Sequence, residues 1–145
     1  APAPAPAPAV VPLPARARTR DLLREANTLR ARGNYARAER VYASIARSAA
    51  EPGEVEAATI AAAELRLEKL GDPHGALVLF RSALARRPES ALSEEARFGL
   101  ARCQRALGDG DAEASALRVF LADHPGSVLA PRARARLQAL QTAAP

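Results

Sequence analysis

Apolar residues recur along this chain at helical spacing. Leu22, Ala26 and Leu29 fall on one face of a predicted helix; so do Ile60, Ala63, Leu67 and Leu70, then Ala96, Leu100, Cys103 and Leu107, and last Leu129, Ala133, Leu137 and Leu140. A second set lies between them: Ala38, Val41, Tyr42 and Ile45, then Ala76, Phe80, Ala83 and Leu84, then Ala114, Leu117 and Leu121. Side chains three and four apart share a helix face, whereas a strand would alternate at every second residue. No β-branched residues alternate with polar ones over a strand's length, so the pattern predicts seven helices and no sheet. Each apolar stripe is too narrow to form a core alone, so neighbouring helix pairs must stack.

The breaks between stripes repeat as well. RARGNYARAERVY (30–42), EKLGDPHGALVLF (68–80) and RALGDGDAEASAL (105–117) align on Gly33, Gly71 and Gly108, which lie 38 and 37 residues apart. A second register pairs Pro88 with Pro125, Ser90 with Ser127, Leu92 with Leu129, Ala96 with Ala133 and Leu100 with Leu137, all at 37. One period from two registers marks a helical-hairpin repeat. Within LGDPHG, Gly71 ends one helix in the left-handed conformation. Asp72 caps the next helix and Pro73 takes its first position, where no amide is needed. Asn34 is assigned the same capping role, as is Asp109 or Asp111. That leaves no shared Asp–His device, because His74 belongs to one repeat only. His124 falls at a helix end, beside Pro125.

This layout resembles the tetratricopeptide repeat over about residues 19 to 141. Ala38 and Ala76 stand at the family's small position, Tyr42 and Phe80 at its aromatic one, and Pro88 and Pro125 at its closing proline. The third repeat departs from it, with Glu113 at the small position, Leu117 at the aromatic one and Arg97 where a large residue is usual. The long period, and endings such as FLADHPGSVLAPRARARL, are similar to repeats of bacterial envelope proteins, among them the Tol-Pal accessory lipoprotein and outer-membrane assembly lipoproteins. A closer similarity is to repeat domains that follow a proline-rich stalk in membrane-bound regulators of the anti-sigma or iron-dicitrate-sensor type. The resemblance implies a right-handed α–α superhelix of three hairpins plus a C-terminal helix. It also implies a non-catalytic protein-interaction module outside the cytoplasmic membrane, with no cofactor and a protein or peptide partner. The concave groove would be lined by Arg20, Leu23, Asn27 and Arg30 in the first repeat, Leu65 and Glu68 in the second, and Glu95, Phe98, Arg102 and Arg105 in the third. Phe98 is either a contact residue or packed on a neighbouring helix. The carboxylate clamp of chaperone-binding members is matched only by Asn27, with Leu23, Ala62, Glu95 and Gly99 at its other positions.

Composition agrees with thin, closely approaching helices: alanine dominates, aromatics make up 3% and Trp and Met are absent among the 145 residues. The net charge of +5 is arginine-borne, Lys69 being the one lysine; GC-rich coding would produce the same bias. Two histidines fifty residues apart, one cysteine and no metal or phosphate-loop motif are a poor inventory for an enzyme. Glu94 and Glu95 read as first-turn partners of a helix dipole more simply than as a catalytic pair. Cys103, on the apolar stripe, reads as a small buried hydrophobe against the alternative of a reactive thiol. Arg16, Arg18, Arg20 and Arg132, Arg134, Arg136 raise nucleic-acid binding, but only Arg132 and Arg136 share a face, and stacking aromatics are scarce.

The chain opens with APAPAPAPAVVPLP, uncharged and holding six of the twelve prolines. Such a stretch favours an extended polyproline-II rod of roughly 3.1 Å per residue, a stalk or a plain interdomain linker. It reads as the continuation of a longer, membrane-tethered and periplasmic protein. The expected organisation is a linker over 1–15, a repeat domain over 16–141 and a tail over 142–145. A structural, self-associating envelope component is the alternative to a partner-binding module. No run approaches the ~18 apolar residues a membrane span needs.

Overall fold

A computed structural model describes residues 14–142, so the Ala/Pro stretch, apart from Pro14, and the last three residues lie outside the described residues. The seven helices predicted are present: α1 (Ala15–Ala31), α2 (Tyr35–Ala46), α3 (Pro52–Glu68), α4 (Pro73–Arg86), α5 (Ser93–Leu107), α6 (Gly110–Asp123) and α7 (Ala130–Thr142). There is no strand among the described residues. Each helix packs on the next, and α3 also touches α5, so the chain forms an α–α superhelix of consecutive hairpins.

The core is three clusters that hand over from one hairpin to the next. Tyr42, Ile45 and Ala38 of α2 meet Ala26 of α1 and Ala58, Ala62 and Leu65 of α3. Phe80, Ala76, Leu77 and Ala83 of α4 meet Ile60 and Ala63 of α3 and Ala96 and Cys103 of α5. Leu117 and Phe120 of α6 meet Phe98 and Ala101 of α5 and Ala133 of α7. Each cluster therefore draws on three successive helices, as stacked repeats require. Alanine and glycine let the axes approach: a Cβ on Gly99 would lie 2.5 Å from Cζ of the fully buried Phe80.

Two kinds of joint connect these helices. Within hairpins, Gly33, Gly71 and Gly108 all have positive φ (77°, 64° and 75°), conformations that cost glycine little. The Asp72 side chain accepts from the Gly75 amide at 2.8 Å, and Asp109 accepts from Ala112 at 2.9 Å. Asn34 corrects the expectation: its side chain makes no capping bond. Its turn is held by backbone, with Gly33 N–H donating to Arg30 O and Asn34 N–H to Leu29 O. A neutral amide also gains less than a carboxylate from the positive end of a helix.

Between hairpins a second joint repeats. The Ser90 hydroxyl donates to buried Glu56 and accepts from Leu92 N–H; the Ser127 hydroxyl donates to Glu94 and accepts from Leu129 N–H. Arg97 donates back to Pro88 O and Arg134 to Pro125 O. Glu94 and Glu95 do stand in the first turn of α5, as read. Glu94 has this further task.

Two expectations follow for stability in denaturant titrations. Asp72→Ala costs about 1 kcal/mol, as typical cap losses do, whereas Asn34→Ala costs at most a few tenths. Gly99→Ala destabilises by about 1–3 kcal/mol through overpacking against Phe80, although the same change in an open helix would gain up to ~1 kcal/mol. In a Phe80→Leu background the Gly99→Ala change becomes neutral or favourable.

Candidate functional site

The odd-numbered helices expose equivalent faces, because residues one period apart occupy equivalent positions: Arg30, Glu68 and Arg105 form one such series, Glu95 and Arg132 another. On α1, Arg20, Leu23 and Asn27 border an open hollow with Arg24, Thr28 and Ala31. The Asn27 Oδ1 accepts from the buried Tyr42 hydroxyl, which holds the amide in place and leaves its nitrogen free to donate. Arg30 is exposed at the end of this helix, and its charge partly opposes the upward push that burial gives the Tyr42 phenol.

Farther along, Glu68, Glu95, Phe98 and Arg102 come together with Glu64, Leu129 and Arg132 around a hollow of about 300 Å³. Arg102 and Arg105 border an adjoining recess of about 60 Å³ with Phe98, Ala101, Glu113, Leu117, Arg132 and Arg136. Of the ten groove residues expected, eight lie on the exposed face and two do not. Leu65 is 4% exposed and belongs to the core around Tyr42. The reason is that α3 is covered by α2, α4 and α5 together, so burial wraps most of its circumference and Glu64, one residue earlier, faces the groove. Phe98 is 9% exposed, its ring 5.3 Å from that of Phe120. Between its two readings, packing on a neighbouring helix holds, and the ring edge forms the floor of both hollows.

Arg102 has a different role from a free contact. One of its nitrogens lies 2.9 Å from each oxygen of Glu64 and the other binds Glu68, tying α5 to α3. Burial alone would lower its pKa, but the two carboxylates outweigh that and leave it raised. Burial likewise raises the Glu64 carboxyl, and Arg102 offsets this only in part. Glu64 carries no signal in the sequence, and Leu129, Arg132 and Arg136 enter the sequence reading as parts of an apolar stripe and a basic cluster rather than as groove residues; Arg132, one period after Glu95, is the one the repeat could have placed there.

The chemistry available is recognition by charge, hydrogen bond and apolar floor. Cys103 is fully buried, and desolvation pushes its thiol up to about 11, so it packs as a small hydrophobe. His74 is exposed, while Asp72 beside it is engaged as a cap. Among the described residues no group of three or more His, Cys, Asp and Glu side chains could hold a metal ion. Nor is any helix there long and apolar enough to cross a membrane.

Because the folded state holds a proton on Glu64 above the ordinary value of 4.5, this group's contribution to stability is full at low pH and is lost as pH rises through the raised value. In carboxyl-carbon NMR titration Glu64 is expected to have its midpoint above 4.5. Wild type should lose stability relative to Glu64→Gln as pH rises from 4.5 through that midpoint.

The geometry of stacked hairpins is matched by the comparisons. A family model described as Tetratricopeptide repeat matches residues 67–144, from the end of α3 through α7 and beyond, more than half of the chain. No curated protein matches the chain. The pair α1 and α2 precedes the matched span, yet it repeats the positive-φ glycine turn and the aromatic at the same place in its second helix. The chain belongs to the tetratricopeptide repeat family.

Proposed function

We propose that this domain is a rigid, non-catalytic scaffold that receives a protein or peptide segment along the face of α1, α3, α5 and α7. Tetratricopeptide repeats generally mediate protein–protein interaction, which supports the class of function. The observation that carries the reading is a pair of hollows on the first-type helices, one bordered by Arg20, Leu23 and Asn27 of α1 and the other drawing Glu64, Glu95 and Arg132 together from α3, α5 and α7. Their side chains are held in place before any partner arrives: Asn27 by Tyr42, and Glu64 and Glu68 by Arg102. Pre-ordered groups lose less entropy on binding, so the preparation favours affinity. By contrast the exposed large apolar residues Leu70, Val78, Val119 and Val128 are few and fall on separate helices and loops, which is ordinary for a protein surface.

The setting proposed is the extracytoplasmic part of a membrane-bound regulator, with the Ala/Pro stretch over 1–15 as the tether. It rests on that composition and on the sequence similarity described above. Fusing alkaline phosphatase to the end of the full-length protein in a bacterium tests it, since the enzyme is active only outside the cytoplasm; an inactive, stably made fusion would overturn the location.

For the groove, peptides selected from an unbiased display library are expected to bind with affinities in the micromolar range. Titrated into labelled protein, they should shift amide signals of α1, α3, α5 and α7. Shifts confined to α2, α4 and α6 would sink the reading.

A further inference from the structure

Matching the groove's charges against one another leaves a remainder of one sign. Arg24 pairs with Asp21, Arg102 with Glu64 and Glu68, and Arg136 with Glu113. Among the described residues Arg20, Arg30, Arg105 and Arg132 have no ionic partner, against Glu95 alone on the acidic side. Two of these four cations lie close together: Arg105 of α5 and Arg132 of α7 border the same recess, with the Arg132 guanidinium 5.7 Å from the centre of the Phe98 ring. Their neighbours in that wall, Arg102 and Arg136, are already neutralised. The cation–π contact with Phe98 favours positions of the Arg132 guanidinium over that recess.

We infer that the partner enters this groove as an acidic segment, its side-chain carboxylates bridging Arg105 and Arg132 while an adjoining apolar side chain rests on Leu129 and the edge of Phe98. This rests on the groove reading above and adds the chemistry of the ligand. Guanidinium groups bind carboxylates through paired, charge-assisted hydrogen bonds. A chain terminus offers one carboxylate, whereas unpaired cations border both hollows, Arg20 the one on α1 and Arg105 and Arg132 the recess between α5 and α7. Side chains of an internal segment can meet both. A nucleic-acid backbone or an anionic membrane fits less well: its evenly spaced phosphates would run against Glu95 and the paired Glu64 and Glu68, and Phe98 is too covered to stack a base.

The test uses a fluorescent peptide of alternating glutamate and leucine with an amidated C-terminus, its glutamine and lysine counterparts, an oligothymidine strand and phosphatidylglycerol vesicles. The glutamate peptide should bind the domain, weaken as salt rises, and weaken about tenfold or more in Arg105→Glu/Arg132→Glu, as expected for loss of two charge-assisted contacts. That variant should instead gain affinity for the lysine peptide, a result that misfolding could not give. Equal binding of the glutamate peptide by wild type and variant would overturn the inference. So would equal binding of the glutamine peptide, a requirement for a free C-terminus, or a preference for the oligonucleotide or the vesicles. Library peptides that map to the groove but need neither acidic residues nor these arginines would end this inference and leave the groove reading standing.

Discussion

Each second-type helix presses one side chain onto the next hairpin's first helix, and the shape of the superhelix depends on that contact. Tyr42 shares a cluster with Ala62, Phe80 packs directly over Gly99, and Leu117 lies in the same wall as Arg136. Positions 62, 99 and 136 are one period apart, so the three placements are one arrangement repeated. The first two are large against small. At the third the sizes are exchanged: a shorter Leu117 leaves room for the arginine, and Glu113, one turn earlier and 2% exposed, meets its guanidinium with both oxygens at 2.7 Å. A buried carboxylate is tolerable only when so satisfied. Two of the third repeat's three departures from the family pattern, Glu113 and Leu117, are thus one change together with Arg136.

That contact fixes how closely successive hairpins approach, and the serine joints fix how they are turned. A contact between one aromatic and one glycine would still allow rotation about itself. Ser90 with Glu56 and Ser127 with Glu94 supply a second anchor at each of the later junctions, and the arginine bonds to Pro88 O and Pro125 O supply a third. Held at several points, α3, α5 and α7 keep their outer faces in line, which is why Glu64, Phe98 and Arg132 from three separate helices can border one hollow.

What sequence reasoning could reach follows from which forces have a period. Helix number, hairpin turns and apolar stripes recur every 37 or 38 residues, so they were visible in one chain; Asp72 was legible as a cap because capping is settled within three residues, whereas at the third turn the sequence left Asp109 and Asp111 open and the structure selects Asp109. Leu65 was not legible, since its burial depends on α3 having three packed neighbours, a fact of tertiary structure with no local signature. The pairing of Arg102 has no local signature either, because its partners Glu64 and Glu68 lie 38 and 34 residues away. Spacing alone does not reveal which charges cancel.

Cancellation is also what makes the formal charge of +5 a poor guide to the surface a partner meets. Arg66 with Glu39, Arg87 with Glu56, Arg97 with Asp123 and Arg136 with Glu113 engage arginines between helices, as cross-links with partly or fully covered carboxylates. Such pairs gain little net stability over apolar packing, but each strongly penalises any arrangement that separates its members. In a chain whose core is largely alanine, with few large side chains to define a unique fit, that penalty supplies specificity of stacking. The arginines left over are distinguished by having no structural duty, and it is their position on the groove, rather than the total charge, that gives the surface its sign.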